Sequence, residues 1–278
     1  MSYARIISLT SLAMIAFAGN SLLCRQALKH TAIDPASFTA IRLISGALVL
    51  WVIVRLRHAT PAGKGSWPSA FALFVYAAGF SFAYVSLPAG SGALLLFGAV
   101  QATMIGYGVW AGERLQMLQT FGVVLAFGGL VGLLLPGLSA PPLFGALLMI
   151  GAGIAWGFYS LRGNGAGDPT RVTAGNFMRA VPITVVLSLL MIDFASVDTT
   201  GFYYAVASGA LASGLGYSIW YTVLPALKNT SAASVQLSVP VIAALGGIAF
   251  LGEPLTLRLI LASVAILGGI ALVIVQKR

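Results

Sequence analysis

Three arginines, Arg25, Arg42 and Arg179, stand inside long apolar stretches of a 278-residue chain in which only 8% of residues are charged. Ionisable groups in such surroundings are costly to hold, so each is a default candidate for binding chemistry. Arg25 is near the end of its stretch, close enough to water for its head to snorkel to the interface. Arg42 and Arg179 lie roughly 10 to 15 Å inside theirs at ~1.5 Å per residue, too deep for that escape. Two readings of this deep pair stand. Either they face a wet cavity, where they attract a substrate carboxylate, or they bond to backbone carbonyls and cap a broken helix. Around them, Phe17, Tyr76, Phe80, Phe97, Trp156, Tyr159, Tyr217 and Trp220 fall toward the middle of apolar stretches, whereas Trp67, Trp110, Tyr203 and Tyr204 fall near the ends, as membrane-belt residues do. Taken singly, a deep aromatic is more often packed or lipid-facing than functional. Together with Asn20, Ser21, Gln101, Asn176 and Gln236, these rings can line an amphipathic cavity for an apolar side chain and a zwitterionic head.

Other chemistry is poorly provided for. Asp34, Glu113, Asp168, Asp193, Asp198 and Glu253 all fall at the ends of apolar stretches or between them. Glu113 and Glu253 are therefore expected to stabilise the dipole of the helix that follows each. Two histidines, His30 and His58, and one cysteine, Cys24, offer no zinc spacing and no intrachain disulfide. Cys24 reads as packing. Gly163, Gly165 and Gly167 before Asp168 imitate a phosphate loop, but no strand precedes them and a flexible linker is the simpler reading. No acid, base and metal constellation emerges, so neither an enzyme nor a cofactor is expected. The net charge of +9, from 15 basic and 6 acidic residues, is scattered singly rather than gathered into a patch, which argues against a nucleic-acid partner.

Residues of this kind need elements to hold them. With 59% hydrophobic residues, the natural solvent of the chain is a lipid bilayer. A helix crosses the ~30 Å hydrocarbon layer with about 20 apolar residues. Stretches of that length, bounded by Pro, Gly or charge, fall near 4–28, 35–57, 67–87, 89–111, 115–135, 141–162, 170–193, 199–224, 230–252 and 255–275. The expected fold is an all-α membrane protein of ten transmembrane helices. Most connections are short, so successive helices are antiparallel neighbours; the longer links are 58–66 and 163–169. Arg5, Arg55, Arg57, Lys64, Arg114, Arg162, Arg171, Lys228, Lys277 and Arg278 then share one side, against Lys29 and Arg258 on the other, which predicts that both termini are cytoplasmic. Asp34, Asp193 and Asp198 face outward. Arg5 and the Ala16-Phe17-Ala18 triplet imitate a cleavable secretory signal. Cleavage there would leave an odd set of helices and destroy the following repeat.

A shift of 140 residues aligns Gly112-Glu113 with Gly252-Glu253, Leu115 with Leu255, Val124 with Val264, and Gly128-Gly129 with Gly268-Gly269. A shift of 139 aligns Ile15-Ala16-Phe17 with Ile154-Ala155-Trp156 and Ser21-Leu22 with Ser160-Leu161. With a slip of three from the shift of 140, Arg42 matches Arg179 and would flank a central cavity with it from the other side of the midplane. The expected units are 1–137 and 138–278, two five-helix repeats within one membrane domain. Five is odd, so the second repeat enters the membrane inverted, and two such halves can exchange conformations about a central site.

The stretch Pro240-Val-Ile-Ala-Ala-Leu-Gly-Gly-Ile-Ala-Phe-Leu-Gly252-Glu253-Pro-Leu, followed by Gly268-Gly269, resembles the EamA-type half of the drug/metabolite transporter superfamily. Gly112-Glu113-Arg114-Leu115 and Gly128-Gly129 echo it in the first half, so the resemblance covers the chain. Val100 stands where Pro240 stands in the other half, a departure that leaves a proline kink on one side only. In length and layout the chain is most similar to the superfamily's bacterial exporters of aromatic and neutral amino acids. The resemblance implies an inner-membrane carrier, monomeric, with the lipid bilayer and small-molecule substrates, amino acids, as its partners. The superfamily's small multidrug members rely on a carboxylate inside the first helix; none stands there in this chain, so proton-coupled export of cationic drugs is not expected. Two alternatives remain: a sugar-phosphate or nucleotide-sugar exchanger, which two buried arginines permit, and a non-transporting membrane assembly or sensor subunit.

Overall fold

The computed structural model describes residues 1–57, 63–137, 140–163, 167–227 and 235–275. His58, Gly165, Lys228, Lys277 and Arg278, singled out above, lie outside the described residues. Among the described residues there is no strand; the chain runs through α1 (Tyr3–His30), α2 (Pro35–Leu56), α3 (Trp67–Tyr84), α4 (Ala89–Trp110), α5 (Met117–Leu134), α6 (Leu143–Gly163) and α7 (Pro169–Leu190). An eighth span follows in pieces: α8 (Thr199–Ala207), a π-helical segment (Ser208–Leu215) and α9 (Gly216–Val223). The last two spans are α10 (Ser238–Leu251) and α11 (Leu257–Val275). Seven of these helices are long and apolar enough to cross a membrane on length and composition alone.

Local chemistry fixes where helices start. Asp34 accepts hydrogen bonds from the amides of Ala36 and Ser37 at 2.9 Å each, and Pro35 supplies a pre-set φ in the first turn. α7 begins the same way, with Asp168 accepting from the amide of Arg171 at 2.7 Å and Pro169 next to it. Ser66 and Asp198 cap α3 and α8. Helices α4 and α10 end at Gly112 (φ +96°) and Gly252 (φ +62°), left-handed positions that favour glycine. From each, the next amide bonds back into the last turns, Glu113 to Gly108 O at 2.9 Å and Glu253 to Gly247 O at 3.0 Å.

The connections after α1, α3, α5, α7 and α10 share one end of the bundle, and the other connections share the opposite end with Tyr3. At the first end, Asp34 and Ser196 exchange two hydrogen bonds (2.9 and 3.0 Å), and Asp198 accepts from the amide of Ala32 at 3.1 Å. Partial burial alone would raise the Asp34 carboxyl, but the bonds it accepts from Ser37, Ser196 and Ala36 outweigh that and hold it below the ordinary carboxylate value. Described basic residues at the opposite end are Arg5, Arg55, Arg57, Lys64, Arg114, Arg162 and Arg171, against Lys29 and Arg258 at the first.

Helix α2 packs on α7 and on the π segment; α6 lies against α3 and α4; α1 lies against the eighth span and α10. The pair α5 and α11 pack on each other, joined by a bond from Gln119 Nε2 to Val273 O at 3.2 Å, and reach the other helices chiefly through α4. Large apolar side chains such as Ile15, Leu48, Phe71, Phe127, Leu189, Phe250 and Val264 face outward, the surface a bilayer covers.

The eighth span departs from the uninterrupted helix expected over 199–224. Its run Ser-Gly-Ala-Leu-Ala-Ser-Gly-Leu is mostly small residues, and it lets two backbones meet: a Cβ on Gly209 would collide with the carbonyl oxygen of Arg42. π turns tend to occur where a helix is bent to a local purpose, and this one lies against Arg42, the most deeply buried charge among the described residues. Gly209→Ala is expected to lower the unfolding temperature of the purified protein in detergent, through overpacking of about 1 to 3 kcal/mol. Gly128→Ala, where nothing lies within 4 Å of the added carbon, should leave it unchanged or slightly raised. Equal effects at the two positions would contradict the close approach.

Candidate functional site

Arg42 is 1% exposed, on the α2 face that meets the π segment and α3. Its Nη2 donates to the Tyr76 hydroxyl at 2.9 Å, and its guanidinium carbon lies 4.8 Å from the Phe80 ring centre and 5.2 Å from that of Tyr76. The Tyr76 hydroxyl also accepts from Asn20 Nδ2 (3.4 Å), and Asn20 Oδ1 accepts from Ser208 Oγ (2.6 Å). This chain of polar groups ties together the eighth, first, third and second spans. Nε and Nη1 of Arg42 have no hydrogen-bond partner among the described residues. The ring faces offset part of the charge's lost hydration. Buried donors on a cation nevertheless call for an acceptor, and none of the six acidic residues of the sequence is placed in mid-span to supply one.

Beside this cation is a wall of rings. Trp156, half-buried on α6, lies 4.7 Å from Tyr76, 5.1 Å from Tyr159 and 5.3 Å from Tyr217, stacked on the last two at 25° and 24°. Phe177 and Phe17 approach Tyr217 from α7 and α1 at 6.0 and 5.6 Å, and Phe17 continues to Trp220 at 6.2 Å. Phe97 is half-buried and packs against both apolar clusters of the interior. Six spans thus contribute to one cationic and aromatic centre: a fixed guanidinium for an anionic group, ring faces for a cationic or apolar one, and hydroxyl and amide groups between.

Of the residues singled out in the sequence, the structure brings Phe17, Asn20, Arg42, Tyr76, Phe80, Trp156, Tyr159 and Tyr217 together. Ser21 is buried beside the Tyr84 hydroxyl. Asn176 is buried at the rim, where its amide bonds Tyr159 Oη (3.4 Å) and the backbone of Ser66 (2.8 Å). Gln101 on α4 and Gln236, helical just before the turn at Leu237 that precedes α10, make no hydrogen bond to the cluster.

Arg179 is elsewhere. It lies on the flank of the bundle, and its Nη1 donates to the carbonyls of Lys64 (2.6 Å) and Gly175 (2.9 Å). The cause is register: Arg42 is the eighth residue after its cap Asp34, and the eighth after Asp168 is Asn176. Three further residues carry Arg179 ~4.5 Å along α7 and ~60° round it from Asn176, where it meets the carbonyls of Lys64 and Gly175 rather than the ring cluster.

Arg25 does not snorkel. It is 7% exposed, its Nε pairs with Glu253 Oε1 at 3.3 Å, and its Nη1 donates to Tyr84 O and Val85 O at 2.9 Å each. Glu253 in turn accepts from the amide of Ala89 at 2.8 Å, the first residue of α4. The pair therefore straddles the α3–α4 turn, with the cation on the carbonyl end of α3 and the anion on the amide end of α4, each where the helix dipole favours it. Glu253 does not serve the helix that follows it, as the sequence suggests. It folds back over Gly247, and Glu113 folds back over Gly108 in the same way. Ser208 and Phe177 joined the centre unforeseen. A Gly- and Ser-rich interruption at 208–216 was the available signal for Ser208; for Phe177 there was none beyond its place one residue after Asn176.

A many-span helical bundle whose interior holds a buried cation and a ring-lined centre has the build of a membrane carrier for small molecules. Residues 143–275 match the EamA-like transporter family. The chain is 59% identical over 98% of its length to an uncharacterised protein of Pseudomonas aeruginosa, 96% of which it covers. It is 25% identical over 97% of its length to the uncharacterised transporter YvbV of Bacillus subtilis, 91% of which is covered. Over 154 residues, 52% of this chain and 51% of the relative, it is 37% identical to the threonine/homoserine exporter RhtA of Salmonella typhimurium. A solved crystal structure matches the fold over 100% of this chain and 99% of its own, with a TM-score of 0.70 at 18% identity. The chain belongs to the EamA-like transporter family and is a multi-pass membrane protein.

Truncating the buried pair tests the α3–α4 junction. Glu253→Ala leaves Arg25 buried without its counter-charge and is expected to destabilise by about 3 to 5 kcal/mol. The double variant Arg25→Met, Glu253→Met should recover most of that loss, read as unfolding temperature in detergent. Strictly additive losses would mean that the two groups do not act as a pair.

Proposed function

We propose that the chain is a carrier of the bacterial inner membrane that exports amino acids, aromatic and other neutral ones, by alternating access. The observation that carries this reading is Arg42: a guanidinium fixed by Tyr76, with Nε and Nη1 unpaired, beside a half-buried tryptophan. Arg42 receives the substrate carboxylate, since charge-assisted bonds from a buried guanidinium to a carboxylate are among the stronger polar contacts. The ammonium goes to the faces of Trp156, Tyr76 and Tyr217 by cation–π attraction. The side chain packs among Phe17, Phe177 and the remaining rings. A relative that is named as a threonine/homoserine exporter, over half of this chain, is in keeping with a neutral amino acid as cargo.

Alternating access rests on the halves 1–137 and 138–278 being inverted repeats. In support of this, the helix neighbours exchange when the halves are swapped. The counterparts α2 and α7 pack on each other, as do α5 and α11. As α6 lies against α3 and α4, α1 lies against the eighth span and α10; as α3 flanks α7, the eighth span flanks α2. The basic bias of the end that holds Tyr3 favours cytoplasmic termini. A sugar-phosphate exchanger is the weaker reading, because Arg179 turns away and leaves Arg42 as the one arginine at the ring cluster among the described residues.

Counterflow of labelled amino acids into liposomes that hold the purified protein tests the proposal, with phosphate esters as competitors. Wild type should exchange aromatic and neutral amino acids and ignore the esters. Trp156→Ala should weaken transport of Trp or Phe by roughly 5- to 150-fold more than that of Thr or Ala, as lost ring contact of about 1 to 3 kcal/mol implies. Equal loss for every substrate in a well-inserted variant would make Trp156 structural packing, and competition by phosphate esters would favour the exchanger.

A further inference from the structure

Between α2 and α7, toward the end of the bundle that holds Tyr3, a groove of about 490 Å³ opens on the flank. Its lining includes Arg55, Lys64, Arg171 and Arg179, four cations, and Trp51. No carboxylate lines it, and among the described residues none of the four is in an ion pair. The nearest acid in sequence, Asp168, is engaged as the cap of α7, accepting from the amide of Arg171. Positive charges crowded without a counter-charge repel one another, so the arrangement favours an anion.

The geometry is built rather than incidental. Nη1 of Arg179 is fixed by the carbonyls of Lys64 and Gly175, while its Nε and Nη2 make no bond to the described residues. The segment carrying Lys64 is held against α7 by the bond from the amide of Ser66 to Asn176 Oδ1 at 2.8 Å. Arg55 lies over the ring of Trp51, 5.2 Å from its centre. Trp51 and Met178 are each 42% exposed at the groove, and exposed apolar side chains continue away from it, Ile44 and Leu48 along α2 and Val185 along α7. A cationic pocket at the membrane interface, opening onto an apolar seam, suits a molecule with an anionic phosphate and an acyl chain.

We propose that this groove binds the headgroup phosphate of an anionic phospholipid, with an acyl chain along the α2–α7 seam. Arg171, Arg55 and Lys64 receive the headgroup at the interface. Arg179 offers its unpaired nitrogens deeper in. The same phosphate chemistry has a soluble source, and the seam of exposed side chains selects the lipid over it.

The test is native mass spectrometry of the purified full-length protein, mixed with equal amounts of phosphatidylglycerol and phosphatidylcholine. Wild type should retain phosphatidylglycerol at least ~5-fold over phosphatidylcholine. The triple variant Arg55→Gln, Lys64→Gln, Arg171→Gln should lose that preference with its unfolding temperature unchanged, whereas Lys29→Gln, Arg258→Gln at the opposite end should keep it. Should the triple variant misfold, Arg171→Gln alone should reduce the preference by at least half. Persistence of the wild-type preference in a folded triple or single variant would overturn the site. Millimolar glycerol 3-phosphate or inorganic phosphate should not displace the lipid; displacement by either would overturn the lipid assignment in favour of a soluble phosphate.

Discussion

A guanidinium cannot be enclosed in an apolar bundle unless its charge and its donors are provided for, and the centre of this protein is organised by how that is done for Arg42. Its hydrogen bond to Tyr76 recruits Asn20 and, through it, Ser208, so that four spans are held in register by one buried cation. The rings of Tyr76 and Phe80 lie against its faces. The close approach of the π segment at Gly209 brings the eighth span against the Arg42 backbone. Even so, two of its nitrogens are left without partners. Desolvating a charge costs several kcal/mol, a deficit that the proposed visit of an anion would offset.

The three intramembrane arginines illustrate three answers to the same problem. Arg25 is neutralised by Glu253 and by the carbonyl end of α3, and is structural. Arg179 satisfies one nitrogen on carbonyls at the flank and keeps the rest near the surface. Arg42 alone is wrapped in aromatic surface at the centre. Composition makes the three look alike; what separates them is which face of which helix they stand on. In a protein with six acidic residues, counter-charges are scarce, and their distribution decides which cation is free to meet a ligand.

Much of the fold was legible because a bilayer imposes a length and a composition on each span. Each of the ten apolar stretches holds helix among the described residues, seven of the helices being long and apolar enough to cross a membrane; residues 230–234 of the ninth stretch lie outside the described residues. The Asp-Pro pairs at 34–35 and 168–169 mark two starts closely. The aromatic centre was also legible, since large rings in mid-span have few other places to go. Misreadings came where rotation or partnership mattered. Of the two readings of Arg179, the bonds to backbone carbonyls hold; its expected place opposite Arg42 does not, because a slip of three residues sets it ~4.5 Å along and ~60° round α7 from the position of Asn176. Glu253 was misjudged because adjacency in sequence suggested the following helix, whereas the turn at Gly252 sends the carboxylate back to Arg25 and to α4. The π segment was missed because helix-length patterning is blind to a change of winding within one span.

If Arg42 recognises a carboxylate, as proposed, ligands that differ in that group alone are told apart by it. Binding of phenylalanine and of phenethylamine, which lacks the carboxylate, is to be measured on wild type and on Arg42→Gln by competition in proteoliposomes. A buried charge-assisted interaction of about 1.5 to 3 kcal/mol predicts that wild type prefers phenylalanine by roughly 10- to 150-fold, and that Arg42→Gln abolishes most of that preference. An unchanged preference in an inserted and folded Arg42→Gln protein would contradict the account, since the carboxylate would then be recognised elsewhere.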